Sequence, residues 1–120
     1  MSTLVFGHKN PDTDTVVAAI ALADLKKSLG EDIAPSVQGE LNPESKFVLD
    51  KFGLAAPEVI TSYAGKDVYL VDTSDLTQLP DDLGEANVLG IVDHHKLGDV
   101  TTGQPLECWI WPVGCTCTII

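Results

Sequence analysis

The sequence has few cations, few cysteines and no long apolar run, and each shortage excludes a class of protein. Seven lysine and arginine residues stand against 18 acidic residues, which gives a formal net charge of −11. Such a chain repels the backbone of nucleic acids unless cations intervene, so we expect no nucleic-acid partner. No stretch approaches the ~20 apolar residues that a membrane-spanning helix needs, so we expect no membrane partner either.

Cysteine is scarce and confined to the C-terminal part of the chain, at Cys108, Cys115 and Cys117. The odd number and the absence of a C-x-x-C spacing are typical of reduced thiols in an intracellular protein. Cys115 and Cys117 together could bind a soft metal, but small, partly buried side chains are the simpler interpretation. No basic segment precedes an apolar stretch at the N-terminus, so we expect no signal peptide and a cytoplasmic location.

What is present is a composition for one globular domain, because 44% of the 120 residues are hydrophobic. Short apolar runs alternate with helical patterns along the chain, and this alternation predicts an α/β fold: a doubly wound, mainly parallel sheet with flanking helices. The predicted helices span residues 15–29 and 43–52. The predicted strands span residues 3–6, 32–37, 68–71 and 87–92, with weaker candidates at 59–63 and 108–113.

Three local signals refine this prediction. Pro35 lies within the second strand and lacks an N–H group, which favours an edge position for that strand. Asn42 and Pro43 are typical of the N-cap and first turn of a helix. From Thr116 onwards the sequence resembles the first turn of an apolar helix that is cut short, so we expect the chain to be part of a longer protein.

The segment from Gly7 to Asp14 concentrates polar chemistry between the first strand and the first helix. It places His8, Asp12 and Asp14 in one turn, and the carboxyl ends of strands are where open α/β sheets bind ligands. Each side chain also has an ordinary interpretation. Asp12 and Asp14 could simply cap the helix, and a single histidine is more often structural than a ligand.

Two further strand ends carry the same chemistry. Asp72 follows the run 68–71, and Asp93, His94 and His95 follow the run 87–92. Asp72 could be an Asx-turn residue and the histidines an ordinary polar turn. The coincidence of three such strand ends favours a metal site, and mixed imidazole and carboxylate ligands suit Mn²⁺, Co²⁺, Fe²⁺ or Zn²⁺. These groups exceed what one ion needs, so we expect two ions, with Asp72 as the bridging ligand.

These motifs resemble a known family. The segment Gly7-His8-Lys9-Asn10-Pro11-Asp12-Thr13-Asp14, together with Asp93-His94-His95, is similar to the DHH phosphoesterase superfamily. The Asn-Pro-Asp-Thr-Asp sequence and the leading Gly-His resemble its manganese-dependent (family II) inorganic pyrophosphatases. The final segment 113–118 is similar to a Gly- and Thr-rich segment of that family.

The resemblance implies a role for each candidate residue. His95 would be catalytic, facing the substrate phosphates and assisting the leaving group, and Asp93 would orient the neighbouring histidines. The implied cofactors are two Mn²⁺ (or Co²⁺) ions per site, with Mg²⁺ arriving with the pyrophosphate substrate. One ion would be bound by His8, Asp12 and Asp72, and the other by Asp14, Asp72 and His94.

The implied activity is hydrolysis of inorganic pyrophosphate to phosphate by two-metal catalysis. The chain departs from the family where Thr73-Ser74-Asp75 replaces the usual His-Asn-Glu. The family also has a further bridging aspartate and a second domain whose Lys and Arg residues clamp the substrate. We expect residues 1–120 to be the N-terminal part of a DHH phosphoesterase domain without that clamp, and to be inactive alone.

Two alternatives to this function stay open at the level of sequence. The first is another DHH phosphoesterase, acting on oligonucleotides or cyclic dinucleotides, although that branch tends to have Asp-Gly-Asp in place of Asp12-Thr13-Asp14. The second is a metal-binding fragment without activity. The sequence also leaves a homodimer open.

Overall fold

The structure is a computed structural model that describes residues 2–120. It contains six strands and two α-helices, joined by loops and three short 3₁₀ turns. The strands are β1 (Thr3–Phe6), β2 (Ile33–Val37), β3 (Glu58–Val59), β4 (Asp67–Val71), β5 (Asn87–Asp93) and β6 (Glu107–Ile110). The helices are α1 (Thr13–Ser28) and α2 (Pro43–Lys51), and the 3₁₀ turns are Leu76–Gln78, Leu83–Glu85 and Thr116–Thr118.

All six strands form one sheet in the order β3-β2-β1-β4-β5-β6, and every neighbouring pair is parallel. The α/β fold with a parallel sheet that the sequence predicted is therefore confirmed. From β1 the chain first builds one half of the sheet through β2 and β3, and then builds the other half from β4 to β6. The order thus reverses between β1 and β4, and a crevice at such a switch point is where these folds bind ligands.

Helix α1 begins at Thr13, two residues earlier than the sequence predicted. The reason is that Asp12 adopts the N-cap position, where its carboxylate accepts a hydrogen bond from the Thr15 N–H at 2.9 Å. Lys26 and Lys27 lie in the last turn, where their charge complements the helix dipole. The capping requirement therefore places Asp14 inside the first turn of the helix.

The core has one apolar layer on each face of the sheet. On the first face α1 packs through Ala19 and Leu22 against Val5 and Val71. On the other face Phe6 stacks on Tyr63, with ring centroids 3.8 Å apart, and the residues that complete this layer come from strands and connecting segments: Leu70, Leu79, Leu83 and Ile91. The side chains of the central strands are buried on both faces, as expected for a parallel sheet.

The predicted edge position of the second strand is wrong. Strand β2 lies inside the sheet, between β1 and β3. Strand β3 has only two residues, and these pair with Ser36 and Val37, so Pro35 lies outside that ladder. Its missing N–H group therefore removes no hydrogen bond to β3.

Smaller differences concern the ends of elements. Asn42 caps α2 as predicted, accepting a hydrogen bond from the Ser45 N–H at 2.7 Å. The weak candidate at 59–63 overlaps the two-residue β3 at Val59 alone, and the candidate at 108–113 becomes the four-residue β6. No helix within residues 2–120 combines the length and the apolar character needed to cross a membrane.

Candidate metal centre

The candidate site lies at the carboxyl ends of β1, β4 and β5, three neighbours in the sheet. His8 follows β1 by two residues, Asp72 directly follows β4, and His94 directly follows β5. Because the strands are parallel, their carboxyl ends share one edge of the sheet, and the polar residues after them converge there. The site therefore occupies the switch point between β1 and β4.

Asp72 is the centre of this arrangement. Its side chain is only 2% exposed, and its N–H donates to the carbonyl of Val92 at 2.9 Å. One carboxylate oxygen, Oδ2, lies 3.3 Å from Nε2 of His8, and the other, Oδ1, lies 2.9 Å from Nε2 of His94. Each oxygen of this buried carboxylate thus faces a different imidazole.

His8, Asp12 and Asp72 form the first group of candidate ligands. One potential ligand atom from each lies within 4.8 Å of the others, and Nε2 of His8 is 3.5 Å from Oδ1 of Asp12. Nδ1 of His8 is 2.7 Å from the carbonyl of Lys9, and an N–H donated there leaves Nε2 as the nitrogen that faces the carboxylates. In the metal-free protein Nε2 carries a proton that it shares with Asp72, and a metal ion would take the place of that proton between the ring and the two carboxylates.

Asp14 and His94 form the second group, again with Asp72. Nε2 of His94 is 3.0 Å from Oδ2 of Asp14, while Nδ1 is 2.9 Å from the carbonyl of Val113. Donation from Nδ1 to that carbonyl leaves Nε2 as the nitrogen that faces the carboxylates and would lose its proton to bind a metal ion. Both histidines therefore present Nε2 to the same buried aspartate from opposite sides.

The distances and the donor types fit divalent ions. Two adjacent ligands of an octahedral ion with bonds of about 2.1 Å lie about 3 Å apart. The imidazole-to-carboxylate distances around Asp72, at 2.9 and 3.3 Å, are close to that value. Imidazole mixed with carboxylate is a donor set for first-row transition metals rather than for an oxygen-only calcium site.

Asp93 also lies close to this group, since Asp72, Asp93, His94 and His95 could offer ligand atoms within 4.8 Å of one another. However, Oδ1 of Asp93 already accepts the N–H groups of His94 at 2.7 Å and His95 at 3.2 Å. Asp14 is therefore the better third partner for Asp72 and His94. The other oxygen of Asp93, Oδ2, is buried and has no hydrogen-bond partner within the described residues.

His95 differs from the other two histidines because half of its side chain, 52%, is exposed. Its Nδ1 lies 2.8 Å from Oδ1 of Asp93, a contact that fixes the ring. A cavity of about 360 Å³ opens beside it, and its wall includes His8, Asp72 and Lys96. The imidazole of His95 is thus positioned to meet a molecule that enters the cavity.

The carboxylate of Asp72 shifts the pKa values of the groups around it. Burial opposes ionisation of Asp72, but hydrogen bonds from His8 and Thr15 outweigh it and lower its pKa to about 2. The hydrogen bond to Asp72 is also the main reason why the pKa of His8 rises to about 9, against the effect of burial. Burial and the nearby charge of Asp72 raise the pKa of Asp14. For His94, burial would lower the pKa, but hydrogen bonds to Val113 and Asp72 raise it.

The sequence reasoning missed two residues of the site, Thr15 and Thr116. The hydroxyl of Thr15 donates to Asp72 at 2.8 Å and that of Thr116 donates to the same carboxylate at 3.2 Å. Thr15 directly follows the polar turn, and Thr116 lies in the Gly- and Thr-rich segment. Their positions next to these two motifs were the only sequence signal for a role in the site. Nothing in their spacing indicates that both contact Asp72.

The segment Thr73-Ser74-Asp75 is a second feature that the sequence singled out without assigning a role. Ser74 is buried, and its hydroxyl oxygen accepts the N–H of Gly98 at 2.7 Å, while its carbonyl accepts the N–H of Val100 at 3.1 Å. Ser74 therefore fastens the loop after β5 to the end of β4, next to the cavity.

A wholly parallel sheet with carboxylates and imidazoles at its switch point defines a class of protein, an α/β domain with a site of the kind that binds divalent cations. The sequence matches the model of the DHH family, N-terminal domain, over residues 2–120. The chain therefore belongs to the DHH family, as the motifs in the sequence predicted.

Within this family, the chain is similar to proteins described as manganese-dependent inorganic pyrophosphatases. The chain is 50% identical to a protein of Archaeoglobus fulgidus described as a probable manganese-dependent inorganic pyrophosphatase, covering 97% of the chain and 40% of that protein. It is 47% identical to the manganese-dependent inorganic pyrophosphatase of Methanothrix thermoacetophila, covering 97% of the chain and 38% of that protein. It thus spans about 40% of the length of these curated relatives.

A solved structure gives the same result at the level of the fold. The crystal structure of a Methanococcus jannaschii protein, described as a candidate family II inorganic pyrophosphatase, superposes with a TM-score of 0.90 at 46% sequence identity. The superposition covers 98% of the chain and 36% of the M. jannaschii protein.

Proposed function

We propose that this chain is the metal-binding N-terminal part of a manganese-dependent inorganic pyrophosphatase, an enzyme that hydrolyses pyrophosphate to two phosphates. The observation that carries the proposal is the position of Asp72, whose two oxygens each face a different histidine within 3.3 Å. A carboxylate shared in this way is suited to bridge two ions. The names of the relatives at 47–50% identity support the choice of manganese and of pyrophosphate.

The proposed ligands divide into two sets that share Asp72. His8 and Asp12 bind one Mn²⁺ (or Co²⁺) ion, and Asp14 and His94 bind the other. Bound ions of this kind lower the pKa of a water molecule and neutralise the charge that develops on a phosphoryl group. An additional Mg²⁺ ion accompanies the pyrophosphate in this proposal.

His95 is the proposed catalytic residue of the chain itself. Its Nδ1–H is donated to Asp93 and the residue lines the cavity, so Nε2 is the ring nitrogen left to donate or accept a proton there. A proton on Nε2 would assist the departure of the phosphate leaving group, which is general-acid catalysis. Asp93 holds the ring in place through this contact, so it acts through His95.

The net charge of −11 is compatible with a polyanionic substrate only if cations reverse the local charge. Three of the five proposed ligands are carboxylates, and two divalent ions would more than offset their charge. The proposal therefore needs no basic surface of the kind that nucleic-acid binding requires. The cysteines of the described residues are free thiols, which agrees with a cytoplasmic location.

The chain covers about 40% of its relatives, and we propose that the remaining machinery lies in a C-terminal part. That part would supply a further bridging carboxylate and the Lys and Arg residues that clamp the substrate. Residues 1–120 alone should therefore bind Mn²⁺ but hydrolyse pyrophosphate slowly or not at all. Turnover by the isolated chain at a rate typical of enzymes would contradict this division.

A chimera tests the proposed activity. The chain replaces the matching N-terminal part of the 50% identical Archaeoglobus protein, and phosphate release is measured with Mn²⁺ and pyrophosphate. We expect Mn²⁺-dependent hydrolysis that the Asp72→Asn variant abolishes. A folded chimera without turnover, whose unmodified parent is active, would refute the proposal.

The same chimera separates the two kinds of DHH phosphoesterase. We expect pyrophosphate to be hydrolysed and a cyclic dinucleotide or short oligonucleotide to be left intact under identical conditions. Hydrolysis of the dinucleotide in preference to pyrophosphate would favour the alternative that the sequence left open.

A further inference from the structure

The bridging carboxylate of Asp72 accepts one hydrogen bond on each oxygen from a threonine hydroxyl. Thr15 donates to Oδ2 at 2.8 Å, and Thr116 donates to Oδ1 at 3.2 Å. Both threonines are fully buried, with an exposed fraction of 0%. A buried hydroxyl must donate its hydrogen somewhere, and here both donate to the same side chain.

The backbone of Asp72 is also held in an uncommon conformation. Its φ angle is +64°, in the left-handed region that residues other than glycine seldom adopt. Strain of this kind persists where surrounding contacts fix the conformation, and it is common at functional sites. The two hydroxyls fix the side chain, as the hydrogen bond to Val92 fixes the backbone.

Thr15 is placed by the tight approach of α1 to the end of β1. A Cβ atom on Gly7 would lie 2.4 Å from Cγ2 of Thr15 and 2.8 Å from the carbonyl oxygen of Val71. Only glycine at position 7 lets the first turn of α1 come this close to β4. The glycine in the polar turn thus brings the Thr15 hydroxyl within reach of Asp72.

Thr116 connects both halves of the proposed metal centre. Its hydroxyl contacts Asp72, while its N–H donates to Asp14 at 3.1 Å, across 102 positions of sequence. The 3₁₀ turn that carries it is anchored because Cys117 and Ile119 pack against the core beside α1. One residue therefore sets the distance between a proposed ligand of one ion and the carboxylate shared by both.

We propose that Thr15 and Thr116 are positioning residues that lock the carboxylate of Asp72 in a bridging orientation. The inference rests on the proposed function, because it assumes that Asp72 binds two ions. Each hydroxyl occupies one lone pair of its oxygen, so that the remaining lone pairs are directed towards the sides where His8 and His94 lie. Loss of either hydroxyl frees the carboxylate to rotate and weakens ion binding.

The test measures Mn²⁺ binding to the full 120-residue chain by calorimetry and by electron paramagnetic resonance, with no substrate present. Valine keeps the branched shape of threonine but cannot donate, and serine keeps the hydroxyl. We expect Thr15→Val and Thr116→Val each to weaken Mn²⁺ binding about 10- to 100-fold, the usual cost of losing a partner of a metal ligand. Thr15→Ser and Thr116→Ser should bind close to wild type.

Ser36 offers a matched control. Its hydroxyl is also fully buried and donates to the carbonyl of Val5 at 3.3 Å, but it lies in β2 outside the proposed centre. Ser36→Ala should lower the unfolding midpoint of the metal-free protein without changing the Mn²⁺ affinity. Circular dichroism checks that each variant is folded, and alanine variants of both threonines replace any valine variant that is not.

The outcomes separate the two proposals. Wild-type chain that binds no Mn²⁺, or binding unchanged in Asp72→Asn, refutes the proposed function and this inference with it. Binding that is lost in Asp72→Asn but unchanged in folded valine or alanine variants refutes only the positioning role. Serine variants that bind as weakly as the valine variants would also overturn it, because the hydroxyl would then not be the cause.

Discussion

At the scale of single residues, Asp12 caps α1 and is also a proposed metal ligand, and most substitutions would affect both roles at once. Its carboxylate caps α1 by accepting the Thr15 N–H at 2.9 Å, and the same oxygen lies 3.5 Å from Nε2 of His8. An oxygen atom is enough to accept the hydrogen bond that caps a helix, whereas binding a metal ion also depends on the negative charge of the carboxylate. Asparagine caps helices as well as aspartate does, and alanine does not.

The first prediction uses this difference. Asp12→Asn should leave the free energy of unfolding in excess chelator nearly unchanged, because the cap is retained, but should weaken Mn²⁺ binding. Asp12→Ala should weaken binding as well and also cost about 1 kcal/mol of stability. Urea denaturation with chelator measures the first quantity, and calorimetric titration measures the second. Equal Mn²⁺ affinities of wild type and Asp12→Asn would show that Asp12 is a cap alone.

The second prediction concerns the pH dependence of the metal-free protein. The pKa of His8 rises from 6.5 to about 9 on folding, so its stabilising contribution is complete below pH 6.5 and disappears as pH rises through 9. We therefore expect the free energy of unfolding, measured by urea denaturation in chelator, to decrease by about 1–2 kcal/mol between these pH values. This value allows for the partial exposure of the His8 side chain to solvent. In His8→Gln this part of the pH dependence should vanish; an identical slope would show that His8 is not its source.

The same protonation predicts the opposite trend for metal binding. A ligand imidazole must lose its proton, and the pKa of both His8 and His94 is raised by Asp72. Mn²⁺ affinity should therefore increase from pH 6.5 to 9, with protons released on binding near neutral pH. Calorimetry in buffers of different ionisation enthalpy counts these protons, and binding without release would contradict the assignment of His8 as a ligand.

At the scale of elements, the close approach of α1 to the sheet depends on one glycine. Gly7→Ala would place a methyl group 2.4 Å from Thr15 and 2.8 Å from the carbonyl oxygen of Val71, and a strand carbonyl cannot easily move away. We expect a loss of about 1–3 kcal/mol, the usual cost of overpacking, together with weaker Mn²⁺ binding. Gly39→Ala is the control, because its nearest neighbour is Pro11 Cδ at 3.8 Å. Urea denaturation of both variants gives the comparison, and equal stabilities would disprove the tight approach.

The elements themselves were largely predictable from local patterns. The strands at 3–6, 68–71 and 87–92 are short, mostly apolar runs, and the structure places them side by side as β1, β4 and β5. The position of β2 was not predictable, because the proline rule assumes a full-length neighbour and β3 has only two residues. The start of α1 was missed because Asp12 and Asp14 are equally good caps in sequence, and only the fold distinguishes them.

The proximity of the candidate site residues was predictable from the sequence, but the hydroxyl groups that contact them were not. Acidic and imidazole side chains follow three strands in the sequence. Because the strands are parallel, their carboxyl ends lie at one edge of the sheet, and these side chains come close together. The hydroxyl contacts of Thr15 and Thr116 with Asp72 join residues 57 and 44 positions apart. Such contacts depend on the packing of α1 and of the last 3₁₀ turn, which no local pattern reports.

At the scale of the whole molecule, carboxylates that lie close together make the metal-free domain depend on its histidines. Burial and the charge of Asp72 raise the pKa of Asp14, and His8 and His94 offset the charges of these two carboxylates only while the imidazoles are protonated. The radius of gyration, 13.1 Å, is close to the value of about 13–14 Å expected for a compact domain of this length. The chain is thus compact, and these close carboxylates lie at the edge of the sheet that carries the site.

A final prediction follows from this balance. An ion that binds only the folded state stabilises it by about 2.7 kcal/mol when its concentration is 100 times its dissociation constant. For a domain of this size that corresponds to an increase in Tm of about 10 °C, reversed by chelator. The increase should shrink to nearly nothing in Asp72→Asn, because both proposed sites lose their shared charge, whereas His8→Gln should remove only part of it. A Tm that Mn²⁺ raises equally in wild type and in Asp72→Asn would place the ions elsewhere on this acidic surface, since general screening of a net charge of −11 does not depend on one buried carboxylate.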